Sequence, residues 1–189
     1  MSDNRYIFGL FFGGLTYILS FSVTVILTVT ESYPDWMEPV ENEVVSLFDM
    51  VGWIFYSSHL VGVHGTIDER AIFHPTLNLV LDAELGAATI LFLGIPILLL
   101  VIAGSLITGF FTEPQSPNAA AIDGASLVFA YLPLSLLGAL VFSAQTDLGF
   151  AQGMIGPDPG WAVLIMGLIY PALFGSIGGN VGYWLTTRD

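Results

Sequence analysis

The sequence contains no cysteine and no lysine among its 189 residues. Without cysteine there is no disulfide framework, no thiolate metal site and no cysteine nucleophile. Positive charge is nearly absent as well, since Arg5, Arg70 and Arg188 stand against sixteen Asp and Glu residues and give a net charge of −13. Such a surface repels phosphate groups, so no nucleic acid is expected among the partners of this chain.

The acidic excess also indicates the ionic conditions that suit the chain. A large net charge destabilises a compact state through self-repulsion. At molar salt the Debye length falls to about 3 Å, and that repulsion is screened. The lysine-free, acidic composition resembles that of proteins from haloarchaea that accumulate salt.

Long apolar stretches dominate the rest of the sequence. Hydrophobic residues make up 54% of the chain, and its mean hydropathy of +0.80 lies far above the range of soluble domains. Because about 20 apolar residues cross a bilayer, four spans are predicted at 6–29, 85–111, 123–144 and 161–185. The first stretch is too long for the core of a signal peptide and is interpreted as a retained anchor. The linkers 112–121 and 145–160 are rich in turn-forming residues.

Segment 30–84, between the first two spans, carries ten of the sixteen carboxylates. Apolar residues at near-helical spacing predict an amphipathic helix over about 42–60, lying at the membrane interface. A weak alternation after it predicts a short hairpin. The sequence therefore predicts a single all-α membrane domain, a four-helix transmembrane bundle with an acidic extracytoplasmic subdomain between spans 1 and 2.

Whether residues 44–66 cross the membrane decides between four and five spans. The positive-inside rule leaves the two topologies tied, because only three arginines contribute. We favour four spans, a multi-pass protein of the cell membrane with both termini cytoplasmic, since an acidic segment is most simply placed outside.

The histidines are the candidate metal ligands. His59 and His64 are five residues apart, and His74 follows ten further on. A helix presents ligands on one face at spacings of three or four, so this pattern fits a metal site poorly. Hydrogen bonding within an interfacial subdomain is the favoured interpretation. No catalytic residue, metal or cofactor is predicted, and the chain is expected not to be an enzyme.

The predicted span cores contain no Asp, Glu, Lys, Arg or His. Proton-coupled carriers need ionisable groups at membrane depth, so this absence argues against such a function. Pro96, Pro133 and Pro171 lie near the middle of three spans and predict helix kinks, as in transporters or in simple bundles.

Glycines at small-xxx-small spacing predict close helix packing. The first span pairs Gly9 with Gly13, and the last contains two interlocked pairs. Asn180, the amide within that last span, is expected to donate a hydrogen bond across the contact. The predicted packing residues are Gly9, Gly13, Gly175, Gly178, Gly179, Gly182 and Asn180.

Two motifs, GWIFYSSH (52–59) and YPALFGSIGG (170–179), together with the order of spans, resemble a family of small uncharacterised haloarchaeal membrane proteins. The resemblance covers most of the chain and implies no activity. From the residues, we expect a non-enzymatic membrane subunit or scaffold that packs in the lipid bilayer against a second copy or another membrane protein. The alternative is a permease or channel-like protein for a neutral solute or an ion; a metal-dependent enzyme ranks third.

Overall fold

The computed structural model describes residues 4–30, 46–67, 70–71, 77–82, 86–147 and 152–187. Four long apolar helical stretches pack together, which confirms the predicted bundle. Their bounds are Arg5–Thr30, Ala87–Phe111, Pro117–Val141 and Pro159–Thr186. Residues 31–45, the first part of the acidic segment, lie outside the described residues.

In the described part of the chain, seven α-helices build these spans and one insertion. They are α1 (Asn4–Thr30), α2 (Leu47–Ser57), α3 (Ala87–Leu106), α4 (Pro117–Ala125), α5 (Val128–Val141), the single turn α6 (Pro159–Trp161) and α7 (Tyr170–Thr186). Two π-helical stretches, Ile107–Phe111 and Ala162–Ile169, extend α3 and join α6 to α7. Helix α1 is thus the first span, α3 the second, α4 with α5 the third, and α6 with α7 the fourth.

The third span begins six residues earlier than the sequence predicted, so the predicted linker 112–121 is partly helical. Ser116 caps the helix by accepting a hydrogen bond from the Ala119 amide at 3.2 Å, and Pro117 occupies the first turn, where its missing N–H costs nothing. As a result, Asp123 lies inside the span, half-buried in α4. Arg5, at the start of the first span, and Asp123, in the second turn of the third, are therefore ionisable residues within the long helical stretches, although the predicted span cores lack them.

The prolines occupy different places in their helices. Pro96 lies within α3 and Pro133 within α5, whereas Pro171 is the second residue of α7. The π-helical stretch Ala162–Ile169 ends just before Pro171. Wider turns of this kind accommodate a residue that cannot donate to the helical ladder.

A four-stranded antiparallel sheet closes one end of the bundle, which we call the sheet end. Its order is β2 (Arg70–Ala71), β1 (Val63–Ile67), β4 (Gln152–Pro157) and β3 (Ala144–Asp147). The hairpin of β1 and β2 confirms the one predicted after the short helix. The turn-rich linker 145–160, however, contains a hairpin of β3 and β4, and β4 also pairs with β1 from the insertion. Because β1 is remote in sequence, local composition did not reveal that second pairing.

The opposite end, which we call the terminal end, gathers the start of α1 and the end of α7. Phe8 and Phe12 of α1 lie 5.0 and 5.1 Å from Phe111, ring centroid to ring centroid. The hydroxyl of Thr108, three residues before Phe111, donates to the Gly179 carbonyl of α7 at 2.9 Å. The first and last described residues therefore lie on the same side of the bundle.

Candidate functional site

Helix α2 is set into the bundle rather than laid beside it. Ser46 and Asp49 form a reciprocal capping box at its start. From Met50 to His59 every residue is buried. An interfacial helix would leave its polar face exposed, so the predicted peripheral position of this segment is wrong. Residues 42–45, where the sequence placed the start of the helix, lie outside the described residues.

Two side chains of α2 fasten it to the third span. The indole N–H of Trp53 donates to the Phe142 carbonyl at 2.6 Å, and the Tyr56 hydroxyl donates to the Ser135 carbonyl. Since Phe142 caps the end of α5 and Ser135 lies in its middle, α2 runs from the sheet end towards the centre of the bundle. Eleven residues of helix extend only about 16 Å, so α2 enters the bundle and does not cross it.

The chain turns back at Ser58–Leu60. The Leu60 amide donates to the Ser57 carbonyl at 3.0 Å and the Val61 amide to the Tyr56 carbonyl at 3.0 Å, which is a Schellman end. Leu60 takes the left-handed conformation with φ of 61°, where glycine is usual, and its side chain is 49% exposed. A leucine there keeps the exposed tip of the inserted segment apolar.

Segment 77–82 supports the same turn from the other side. The Ser57 hydroxyl accepts a hydrogen bond from the Leu79 amide at 3.1 Å, and the Asn78 amide donates to the Ser57 carbonyl at 3.1 Å. Asp82 in turn accepts from the Asn78 backbone at 2.7 Å. Backbone at membrane depth must be hydrogen-bonded within the protein, and these contacts meet part of that requirement.

His59 is fully buried at the tip of the inserted segment, enclosed by aromatic rings. Ring centroids lie 4.9 Å away for Phe55, 6.0 Å for Tyr131 and 5.2 Å for Tyr170. Its Nδ1 lies 2.8 Å from the Phe55 carbonyl oxygen. A carbonyl only accepts, so Nδ1 carries the proton, and in the neutral ring Nε2 presents a lone pair. Burial lowers the pKa of His59 to about 4, which keeps the ring neutral at pH 7.

His59 lies near the middle of the spans that surround it. Tyr131 precedes Val141, the end of the third span, by about 15 Å at 1.5 Å per residue, which is half of a hydrocarbon core of about 30 Å. Tyr170 lies at a similar distance from the start of the fourth span. The insertion thus places an ionisable ring at membrane depth. Inspection of the spans alone did not reveal it, because His59 belongs to none of them.

A pair of tyrosines next to His59 has its hydrogen bonds satisfied. The Tyr17 and Tyr56 hydroxyls lie 3.2 Å apart, and Tyr17 also reaches the Leu134 carbonyl at 3.1 Å. Together with the bond from Tyr56 to Ser135, they join α1, α2 and α5 at mid-depth. Helix α2 is therefore held by a specific polar contact as well as by aromatic packing.

Other polar atoms in this layer are not paired. The Ser20 hydroxyl, the Tyr131 hydroxyl and His59 Nε2 are buried without a hydrogen-bond partner among the described residues. Ser20 lies beside the Tyr131 phenol on the neighbouring helix. Buried polar groups are normally hydrogen-bonded, so three orphaned atoms in one layer are unusual.

The three histidines are not shown together at one site. His64 lies in β1, opposite Gly156, and its Nδ1 is buried without a partner among the described residues. His74 lies outside the described residues. Among the part of the chain that the structure describes, no group of three His, Asp or Glu side chains is close enough to hold a metal ion.

The predicted packing glycines of α7 lie against α3 and α4 within the same chain. A Cβ on Gly178 would overlap the Val101 carbonyl, one on Gly179 would overlap the Ala120 carbonyl, and one on Gly182 would overlap Thr108. Gly175 meets Gly104 and Gly124 backbone to backbone. We call this contact, made of Val101, Gly104, Ser105, Thr108, Ala120, Gly124, Gly175, Gly178, Gly179 and Gly182, the glycine seam.

Hydroxyls reinforce the glycine seam. Ser105 donates to the Gly178 carbonyl at 2.9 Å, and Ser176 donates to the Ala121 carbonyl at 3.0 Å. Asn180 differs from its prediction, because its amide donates to the Ser176 carbonyl of its own helix at 3.1 Å and not across the contact. An asparagine side chain within a helix can bond the backbone carbonyl four residues earlier, and Asn180 takes this local alternative.

Gly9 and Gly13 of α1 form a second close approach. A Cβ on Gly9 would overlap Ser126, and one on Gly13 would lie against the Leu127 carbonyl. Both meet the point where α4 passes into α5. All six predicted packing glycines therefore lie at helix contacts inside the chain.

Sequence inspection missed the layer formed by Tyr17, Tyr56, Tyr131, Tyr170 and Ser20 around His59. One signal was present: Tyr17 and Tyr131 lie at the centres of their spans, whereas membrane tyrosines favour the interfaces. A buried phenol needs a hydrogen-bond partner, so a central tyrosine indicates a polar layer.

Comparison with known proteins adds a family but no activity. No curated protein and no solved structure matches the chain. A model described as a family of unknown function, DUF7978, matches residues 2–186. This match covers all four spans and the inserted segment, and the chain belongs to that family.

Proposed function

We propose that the protein is a non-enzymatic subunit or scaffold of a haloarchaeal membrane, with both termini cytoplasmic, that associates with a second copy or with another membrane protein. The observation that carries this proposal is the close packing of the bundle interior. Helix α2 fills the sheet end with consecutive buried residues, and the glycine seam brings backbones into contact towards the terminal end. What remains for interaction is the outer surface.

That surface has a groove suited to a partner helix. It lies between α7 and the second span, has a volume of about 350 Å³ and is almost entirely apolar. Gly109 lies in it, and Phe110, 78% exposed, stands at its edge. Without a hydrophobic drive in lipid, helices associate where small residues permit close packing, and Gly109 supplies such a position.

Filling the groove tests this proposal. A Cβ on Gly109 meets only the Thr186 methyl at 3.8 Å, so Gly109→Leu is expected to fold. Gly94, whose Cβ would meet nothing within 4 Å, provides the matched control, Gly94→Leu. After purification in mild detergent at high salt, we expect the wild type and Gly94→Leu to migrate as a complex on native gels and Gly109→Leu to lose it. A monomeric wild type that brings down no membrane protein would contradict the proposal.

One observation favours the second candidate, a permease for a small neutral solute or an ion. His59 and the unpaired hydroxyls of Tyr131 and Ser20 place polar groups at mid-depth. Flux of small neutral solutes and of cations into proteoliposomes at high salt measures this directly. Flux above that of empty liposomes, abolished by a bulky substitution at Ser20, would favour the permease over the scaffold.

A further inference from the structure

The three unpaired atoms at mid-depth come from three separate elements of the fold. Ser20 lies on α1, His59 at the end of α2 and Tyr131 on α5, and each of these side chains is fully buried. The His59 and Tyr131 rings are 6.0 Å apart, and the Ser20 hydroxyl lies beside the Tyr131 phenol. The three atoms therefore belong to one small region, which we call the His59 site.

One of these atoms accepts a hydrogen bond and two can donate one, so a single small molecule can pair with all three. The Phe55 carbonyl fixes the Nδ1–H tautomer of His59, so its Nε2 can only accept. The hydroxyls of Ser20 and Tyr131 lie side by side, and each has a proton to donate but no partner within hydrogen-bonding geometry among the described residues. A molecule that pairs all three atoms donates once and accepts twice, which water does with one O–H and two lone pairs.

We propose that the His59 site binds a single internal water molecule, which donates to His59 Nε2 and accepts from the Tyr131 and Ser20 hydroxyls. Internal waters with about three polar partners are a regular part of folded proteins. The ligand is neutral, because the rings that face His59 are those of Phe55, Tyr131 and Tyr170, which carry no charge at pH 7, and the Ser58 hydroxyl lies 3.3 Å from its Nδ1. The proposal does not depend on whether the protein is a scaffold or a permease.

The adjacent tyrosine pair provides an internal control. Tyr17 and Tyr56 lie in the same layer, but the Tyr56 hydroxyl donates to the Ser135 carbonyl and the Tyr17 hydroxyl has both Tyr56 and the Leu134 carbonyl as acceptors, so neither proton lacks a partner. Water-edited solid-state NMR of labelled protein in deuterated lipid measures the transfer of proton polarisation from water to each ring. At short mixing times, we expect transfer to His59 and Tyr131 and none to Tyr17.

Removing the donors separates this proposal from a dry site. In Tyr131→Phe combined with Ser20→Ala, the transfer to His59 is expected to be lost, and the His59 Nε2 nitrogen shift should move towards that of a free lone pair. Tyr17→Phe should leave both signals unchanged. If the double variant does not fold, Ser20→Ala alone should still weaken the transfer. A dry His59 ring in the wild type, or transfer that survives without the donors, would overturn the proposal.

Discussion

The two halves of the bundle are packed by opposite means. At the sheet end, large side chains fill the space between the spans, with Phe55, Tyr56 and His59 of the inserted segment fully buried. At the glycine seam, side chains are absent and backbones touch, as where Gly178 meets the Val101 carbonyl. Aromatic rings contribute area and directed hydrogen bonds, whereas glycines contribute dispersion between close backbones. Aromatic packing holds the inserted segment in place, and the glycine seam fixes the spans to one another.

Truncating the aromatic packing should produce the largest effect. Phe55 is fully buried, with its ring centroid 5.1 Å from that of Tyr17 and 5.4 Å from that of Phe21. Phe55→Ala is expected to cost about 3–5 kcal/mol, as for aromatic truncations in packed cores. Equilibrium unfolding in mixed detergent measures the change. The conservative Phe55→Leu should lower the free energy of unfolding clearly less than Phe55→Ala does. Equal losses of stability in the two variants would argue against tight packing around α2.

Acidification should lower the local stability of the sheet end and leave that of the glycine seam nearly unchanged. The pKa of His59 is about 4 in the folded state against 6.5 for an ordinary histidine, so the unfolded state binds more protons between these values. The stability from neutral His59 is complete above pH 6.5 and is lost as pH falls to 4, on the order of 3 kcal/mol in total. Hydrogen exchange of α2 should accelerate across this window, while that of α7 changes little.

The carboxylates of the chain also titrate on acidification, so a control is required. His59→Phe keeps an aromatic ring and removes the titrating group. Its α2 exchange should depend on pH far less than that of the wild type. Equal acid dependence in both proteins would show that His59 is not responsible.

A pair of alanine substitutions tests the glycine seam itself. Gly178→Ala places a methyl group against the Val101 carbonyl and should cost about 1–3 kcal/mol by overpacking. Gly94→Ala meets no atom within 4 Å and should gain up to about 1 kcal/mol from helix propensity. Thermal unfolding of both variants measures the difference. The same sign for both would mean that the seam is not a close contact.

Removing one hydroxyl from the tyrosine pair should have the smallest effect. Tyr56→Phe keeps the ring and loses the bonds to Tyr17 and to the Ser135 carbonyl, a cost of about 1 kcal/mol. The double variant with Tyr17→Phe should cost less than the sum of the single changes, because the two hydroxyls share a bond. Additive losses would show that the hydroxyls act independently.

The spans and the glycine contacts follow from local sequence, whereas the position of the insertion does not. Apolar length fixes where helices can cross, and small residues at spacing four mark where backbones approach. Helix α2 was predicted as a helix but placed on the surface, because its mixture of Ser, His and Trp53 is also typical of an interface. Its burial depends on partners remote in sequence, such as Phe142 and Ser135, which no local pattern encodes.

The pairing of β1 with β4 and the His59 site escaped prediction for the same physical reason. Strands β1 and β4 are remote in sequence, and Tyr131 meets both His59 and Ser20 only after three elements have packed. The start of the third span was missed for a local reason, since Ser116 and Pro117 form a recognisable helix start within a segment that was interpreted as turn.

The central claim is that residues 47–60 enter the bundle and place His59 between the third and fourth spans. Solid-state NMR in bilayers tests it through carbon–carbon cross-peaks between the rings of His59 and Tyr170, whose centroids are 5.2 Å apart. With three histidines in the chain, loss of the signals in His59→Phe identifies the residue. The structure predicts cross-peaks from His59 to both Tyr170 and Tyr131. A His59 ring with no contact to either tyrosine, and with lipid headgroup contacts in their place, would contradict it.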